Sequence, residues 1–152
     1  MNKSYQIKPI KTHTEIQQCR EVIFLLRPHL NKDTWITMVE EMMQREQFFI
    51  DGIFDNNQFV AFAGYRHMTT LHTGNFIYID DLCTLESHRG KGLASLLLEH
   101  IKAIALANNK DAVVLDTDFT NNAAQKVYLK NGFNLAALHL SCDLRSSTWR
   151  ES

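Results

Sequence analysis

The chain is poor in residues that staple, kink or break a fold: three cysteines, two prolines and six glycines in 152 residues. Cys19, Cys83 and Cys142 are odd in number and widely spaced. That excludes a disulfide framework and a C-x-x-C metal or redox pair, and it points to a reducing compartment. The seven histidines form no H-x-H, H-E-x-x-H or Cys/His cluster, so no metal is expected. Neither sign of charge dominates. The net charge is -1, and no basic run could track a phosphate backbone, so nucleic acid is not an expected partner. No stretch approaches the roughly 20 apolar residues of a membrane span, and Met1-Asn2-Lys3-Ser4-Tyr5 opens into no apolar signal segment. No membrane is expected, and the cytoplasm is the expected location. The chain must therefore hold together by its core. With 45% hydrophobic and 22% charged residues it reads as an ordinary globular protein, one domain over 1–152.

Periodicity divides the chain in two. Tyr5 to Ile10 reads as a first strand, and 14–26 as a helix with Ile16, Cys19, Ile23 and Leu26 on one face, stopped by Pro28. A second helix starts near Asp33 as its N-cap, with Trp35, Met38, Val39, Met42 and Met43 as an apolar stripe. Residues 48–54 and 59–67 flank the turn Asp55-Asn56-Asn57-Gln58 as a hairpin, and 75–85 follows as another antiparallel strand. The second half alternates differently. A helix over about 91–107 faces the core with Leu93, Leu96, Leu97, Ile101 and Ile104, and 112–115 is a continuous apolar strand, expected to be buried on both faces. A last helix over 121–131 is closed by Gly132, residues 135–144 supply one more strand, and a polar tail starts at Arg145. The predicted class is α/β of the α+β type: a mixed, mostly antiparallel sheet flanked by helices on both sides.

The sharpest chemical signal is His88-Arg89-Gly90-Lys91-Gly92-Leu93-Ala94-Ser95, between a strand and a long amphipathic helix. Gly90 and Gly92 free the backbone to turn tightly, the helix start offers unpaired N–H donors, and Arg89 and Lys91 add charge. A diphosphate ligand fits that pattern. A P-loop needs G-x-x-x-x-G-K-[ST], but Lys91 is followed by Gly92. A Rossmann turn needs a third glycine where Ser95 stands, although Asp116 after the next strand keeps a dinucleotide-dependent oxidoreductase as a rival. Standing alone, the loop is an ordinary helix N-terminus.

It does not stand alone. The run from Asp81 through Ala94 resembles the central signature of the GNAT acetyltransferase superfamily, whose loop reads Q/R-x-x-G-x-G/A. Downstream, Asn121-Asn122-Ala123-Ala124-Gln125-Lys126-Val127-Tyr128-Leu129-Lys130-Asn131-Gly132-Phe133 resembles the family's N-x-x-A-x-x-L-Y-x-K-x-G-F helix. The resemblance implies an acetyl-CoA-dependent N-acetyltransferase. Leu82, Cys83 and Thr84 would pair with pantetheine. Arg89 and the amides of Gly90, Lys91, Gly92, Leu93, Ala94 and Ser95 would hold the pyrophosphate. Asn121 would contact the cofactor, and Tyr128 would protonate the departing thiolate. It further implies a small-molecule amine or peptide as acceptor, and members of the family often form homodimers. Thr84 and Glu86 depart from the family's usual hydrophobic β-branched residue and proline, and the sequence after Phe133 is short for the usual pair of final strands.

The pair Asp80-Asp81 is the second feature. Strand alternation puts the two on opposite faces, with Tyr78, Asp80 and Leu82 together. Asp80 is then expected to handle the proton of the acceptor amine and Asp81 to position the strand, while the competing structural role ties the acids to backbone or to Arg66. Polyamine and glucosamine-phosphate acetyltransferases of the superfamily carry a similar pair. His139 is the next candidate base. Arg27, His29 and Trp35 lie where the family shapes acceptor specificity, and Cys83 reads as a small buried hydrophobe rather than a nucleophile. A coenzyme A-binding sensor or scaffold is the alternative function; Tyr128 beside Asn121 favours the enzyme.

Overall fold

In the computed structural model, which describes residues 5–145, the elements run β1 (Tyr5–Ile10), α1 (His13–Gln18), α2 (Arg20–Leu26), α3 (Trp35–Arg45), β2 (Phe48–Asp55), β3 (Gln58–Thr70) and β4 (Gly74–Thr84). A 3-10 turn (Glu86–His88), α4 (Leu93–Ala107), β5 (Ala112–Leu115) and α5 (Asn122–Lys130) follow. The strands form one sheet in sequence order, antiparallel except for the parallel pair β4 and β5. Alternation along the strands gives each face its own helices. Phe48, Ile50 and Phe62 lie under α2 and α3, whereas Asp51 and Tyr65 face α4. There the buried Asp51 carboxylate accepts from the Tyr65 hydroxyl at 2.9 Å and pairs with His100 Nε2 at 2.8 Å, fixing α4 to the sheet. Burial pushes the Tyr65 phenol well above its ordinary pKa.

The predicted class is correct, and five local expectations need correction. The helix expected over 14–26 is two helices. Thr12 and Glu15 form a capping box that starts α1 at His13, the run breaks at Cys19, and each half buries its own apolar residues, Ile16 and then Val22 and Ile23. The N-cap of α3 is Thr34 rather than Asp33, because the Asn31 side chain takes the Asp33 N–H at 2.8 Å and holds that residue in a turn. β5 is only partly buried at all four positions, since it is the edge of the sheet rather than an inner strand.

The fourth correction concerns residues 135–144, which form no strand. Leu138, Leu140, Cys142 and Leu144 do alternate with His139, Ser141 and Asp143, but a strand also needs an edge to pair with, and among the described residues this segment makes no ladder, its one ion pair into the sheet region being His139 with Asp116 just past β5. Its leucines 135, 138, 140 and 144 are 70% to 87% exposed. Beyond Arg145, the expected polar tail lies outside the described residues.

The fifth is in β4. Gly64 stands opposite Asp81 and Tyr65 opposite Ile79, so Asp80 has no partner on β3: it is a bulge. A bulge shifts the alternation by one residue. Tyr78, opposite Arg66, and Asp81, opposite Gly64, therefore share the α2/α3 face, and the expected opposition of Asp80 and Asp81 fails.

Candidate active site

β4 and β5 run side by side from Phe76 and Ala112 to Ile79 and Leu115, where β5 ends. β4 continues to Thr84 with β3 on one side and, among the described residues, no strand on the other. Leu82, Cys83 and Thr84 thus lie on an open edge inside the molecule, able to take an extended amide-bearing ligand as an added strand. Guanidinium groups reach the two ends of this stretch: Arg27 Nη2 donates to the Asp80 carbonyl at 3.2 Å, and Arg89 Nε to that of Thr84 at 3.3 Å.

The loop leads on from that edge. Buried His88, bonded through Nε2 to Asp55 at 2.9 Å and through Nδ1 to Ser87 at 2.8 Å, anchors its start. Gly90 and Gly92 then adopt φ of +74° and +80°, a left-handed backbone that side chains resist. Gly92 is the N-cap of α4, and the first intrahelical bond runs from Leu96 N–H to its carbonyl at 3.0 Å. The amides of Leu93, Ala94 and Ser95 therefore enter the helix without intrahelical acceptors and with no capping side chain. Fifteen residues of aligned peptide dipole stand behind them. Arg89 and Lys91 are exposed beside this cradle, which has the donors, the charge and the room for a diphosphate.

α5 closes the other side. Asn131 at its end donates to Ser95 Oγ at 3.0 Å, fastening α5 to the first turn of α4. Tyr128 is partly buried, its ring edge-on to Phe133 with centroids 6.1 Å apart. Burial, and secondarily the neighbouring Cys83 thiol, raise its pKa, so its proton is held at neutral pH. Among the described residues no group accepts a hydrogen bond from that hydroxyl. Asn121 caps α5, accepting from Ala124 N–H at 3.1 Å, so its carbonyl oxygen has a structural task. Cys83 is a buried thiol whose pKa burial also raises, which suits packing and not nucleophilic attack.

Both acids line one cavity on the α2/α3 face, of about 300 Å³, with an apolar wall that includes Trp35, Met38, Met42 and Phe62. They are not equivalent within it. Asp80 spends both oxygens on Arg66: Nε donates to Oδ1 at 3.0 Å and to Oδ2 at 3.1 Å, and Nη2 donates to Oδ2 as well. Asp81 receives Arg27 on Oδ1 alone, from Nε at 2.9 Å and Nη2 at 2.7 Å. Its Oδ2 bonds to no described residue. A Cβ at Gly64 would come within 3.0 Å of that oxygen, so the glycine makes its room. Burial raises the Asp81 pKa, with Arg27 pulling the other way. Arg27 as the partner of Asp81 was not legible in the sequence, since 54 residues separate them. His139 lies with Asp116 at 3.2 Å, and Tyr78 donates to the same carboxylate oxygen.

Comparison with known proteins gives a consistent result. The profile of the Acetyltransferase (GNAT) family matches residues 12–133. An uncharacterized N-acetyltransferase, YhdJ of Bacillus subtilis, is 24% identical over 130 residues, covering 85% of this chain and 92% of that protein. The D-amino-acid N-acetyltransferase HPA3 of Saccharomyces cerevisiae is 35% identical over 72 residues, 47% of this chain and 45% of that protein. Among solved structures, aminoglycoside N-acetyltransferase AAC(6')-Iy in complex with CoA superposes with a TM-score of 0.83 over 96% of this chain and 98% of that one; at 17% identity this is a likeness of fold.

Proposed function

The chain belongs to the GNAT acetyltransferase family, and we propose that it transfers the acetyl group of acetyl-CoA to a primary amine of a small molecule or peptide, directly, in a ternary complex. The observation that carries this is the continuity of the site. The open edge of β4 at Leu82, Cys83 and Thr84 runs from the carboxylate-bearing cavity, past Tyr128, to the anion cradle at Arg89, Gly90, Lys91, Gly92, Leu93, Ala94 and Ser95. Acetyl-CoA supplies a thioester carbonyl. Its pantetheine suits the strand edge, its pyrophosphate the cradle, and Asn121 has an amide N–H₂ left for it. A backbone N–H among residues 82–84 polarises the carbonyl, and Asp81 Oδ2 takes a proton from the amine, directly or through water. As the new C–N bond forms and the C–S bond breaks, the Tyr128 hydroxyl gives its proton to the sulfur, and the second proton, shed by the acylated nitrogen, restores the phenol through water. A dinucleotide reading has less support: β4, α4 and β5 do form a parallel βαβ unit, but Ser95 stands where a Rossmann turn needs its third glycine.

Ligand-dependent melting tests this assignment. Acetyl-CoA at about 100 times its Kd should raise Tm by roughly 5–10 °C, while NAD and ATP should not. Gly92→Asp should abolish the rise, whereas Gly92→Ala, which bears the same backbone strain without the charge, should keep part of it. Equal stabilisation of Gly92→Asp and wild type would move the pyrophosphate elsewhere.

The assembly that the surface supports is a homodimer. Residues 135–144 carry a strand pattern that pairs with no strand among the described residues, and β5 is an edge with one described neighbour. Pairing the one with the other across two copies covers the exposed leucines. Light scattering after gel filtration should give twice the monomer mass, and L138D/L140D should give the monomer; a wild-type monomer at about 100 μM would exclude this assembly.

A further inference from the structure

We infer that the acceptor is a monoamine on an apolar body, and that the cavity between α2, α3 and the sheet selects it; the inference rests on the acetyltransferase reading above. The argument starts from the wall. Ile23, Trp35, Met38, Met42, Phe48 and Phe62 line the cavity; Arg27, Asp80 and Asp81 meet at its β4 end, and His29, from the loop between α2 and α3, is the one further polar side chain in its lining among the described residues. Phe48, Trp35 and Phe62 are almost wholly buried and make a firm floor, whereas Met38 is half exposed and marks the open side. A sugar amine seated here would leave hydroxyls against hydrocarbon, each unpaired group costing more than its contacts return. An alkyl or aryl chain would only exchange water for carbon.

Charge at the β4 end counts against polyamines by a separate route. Asp80, Asp81 and Glu46 meet Arg66 and Arg27, with Glu46 Oε2 lying 3.6 Å from Arg66 Nη1. Three carboxylates against two guanidinium groups leave one negative charge, the complement of one ammonium. A second ammonium further along the chain would have to sit on the apolar wall, desolvated and unpaired. The single charge is also in the right place. Asp81, with its open Oδ2, lies on the stretch of β4 that β5 leaves free after Ile79, immediately before Leu82, so an amine at Asp81 faces the thioester while its body fills the cavity.

The test is a homologous series. With acetyl-CoA saturating, thiol release is measured for n-propyl-, n-butyl-, n-pentyl- and n-hexylamine, phenethylamine, spermidine and kanamycin. Along the alkyl series kcat/KM should rise by about 3- to 4-fold per methylene, the factor for burying one CH₂ group. Spermidine and kanamycin should fall below hexylamine by at least about 10-fold. Met38→Gln, on the exposed side of the wall, should flatten the series with KM for acetyl-CoA unchanged. A flat wild-type series, a preference for spermidine or kanamycin, or a protein that acetyl-CoA stabilises but that turns over none of the alkylamines, overturns the acceptor inference alone. No thiol release with any amine, together with no stabilisation by acetyl-CoA, overturns the acetyltransferase reading as well.

Discussion

Tyr128→Phe should lower turnover by about 10²-fold or more and leave acetyl-CoA affinity nearly unchanged. Expulsion of a thiolate, whose conjugate thiol has a pKa of about 8.5, builds charge on sulfur that a proton donor in place can offset. A phenol is the weaker acid even at its ordinary pKa of about 10, and burial raises that of Tyr128 further, so full transfer is uphill. The gain comes from a donor already in position as the C–S bond lengthens. Burial keeps Tyr128 protonated, the Cys83 thiol lies beside it on the open stretch of β4, and its hydroxyl is committed to no other described group. Phenylalanine retains the ring and its edge-on contact with Phe133, so the fold should tolerate the change. The measurement is single-turnover thiol release with a basic acceptor, beside a direct Kd for acetyl-CoA. An unchanged single-turnover rate would remove Tyr128 from proton transfer.

How much of this site the sequence discloses depends on whether its determinants are local. The cradle was legible because glycine spacing, a helix start and two basic residues all fall within 88–95, and the α5 motif was legible for the same reason. The antiparallel run of β2, β3 and β4 followed from their short connections. The break at Cys19 was hidden by an apolar period that both short helices satisfy. What failed entirely was non-local. A bulge is set by the pairing of two strands, so nothing within 78–84 announces that Asp80 lacks a partner across β3. Arg27 likewise reaches Asp81 only after α2 has packed on β4. Residues 135–144 show the opposite error: the alternation is genuine, yet it cannot supply the edge that a strand requires.

The bulge decides the last expectation, which separates two adjacent carboxylates. An alkylammonium of pKa about 10.4 arrives charged at neutral pH and cannot attack until it loses a proton. Asp81 should supply the base. One of its oxygens is held by Arg27 and the other is open to the cavity, whereas both oxygens of Asp80 are taken by Arg66. Asp81→Asn should therefore lower kcat/KM by about 10²- to 10⁴-fold with little loss of fold. Asp80→Asn should act mainly on stability, because it removes the carboxylate that holds the partly buried Arg66 through both oxygens and leaves it only the exposed Glu46 at 3.6 Å. The pH profile distinguishes a base from a prop. Burial raises the Asp81 pKa, so the deprotonated, active form is lost on acidification above the usual carboxylate range, and the acid limb of wild-type kcat/KM should lie above about 3.9. In Asp81→Asn that limb should vanish, and the residual rate should climb with pH as the free amine fraction grows. Should Asp80→Asn instead lose the rate while Asp81→Asn keeps it, the bulge does not aim the catalytic oxygen and Asp80 takes the role. Should neither variant change the profile, the proton leaves by another path, and His139, paired with Asp116 beside Tyr78, is the residue to replace next.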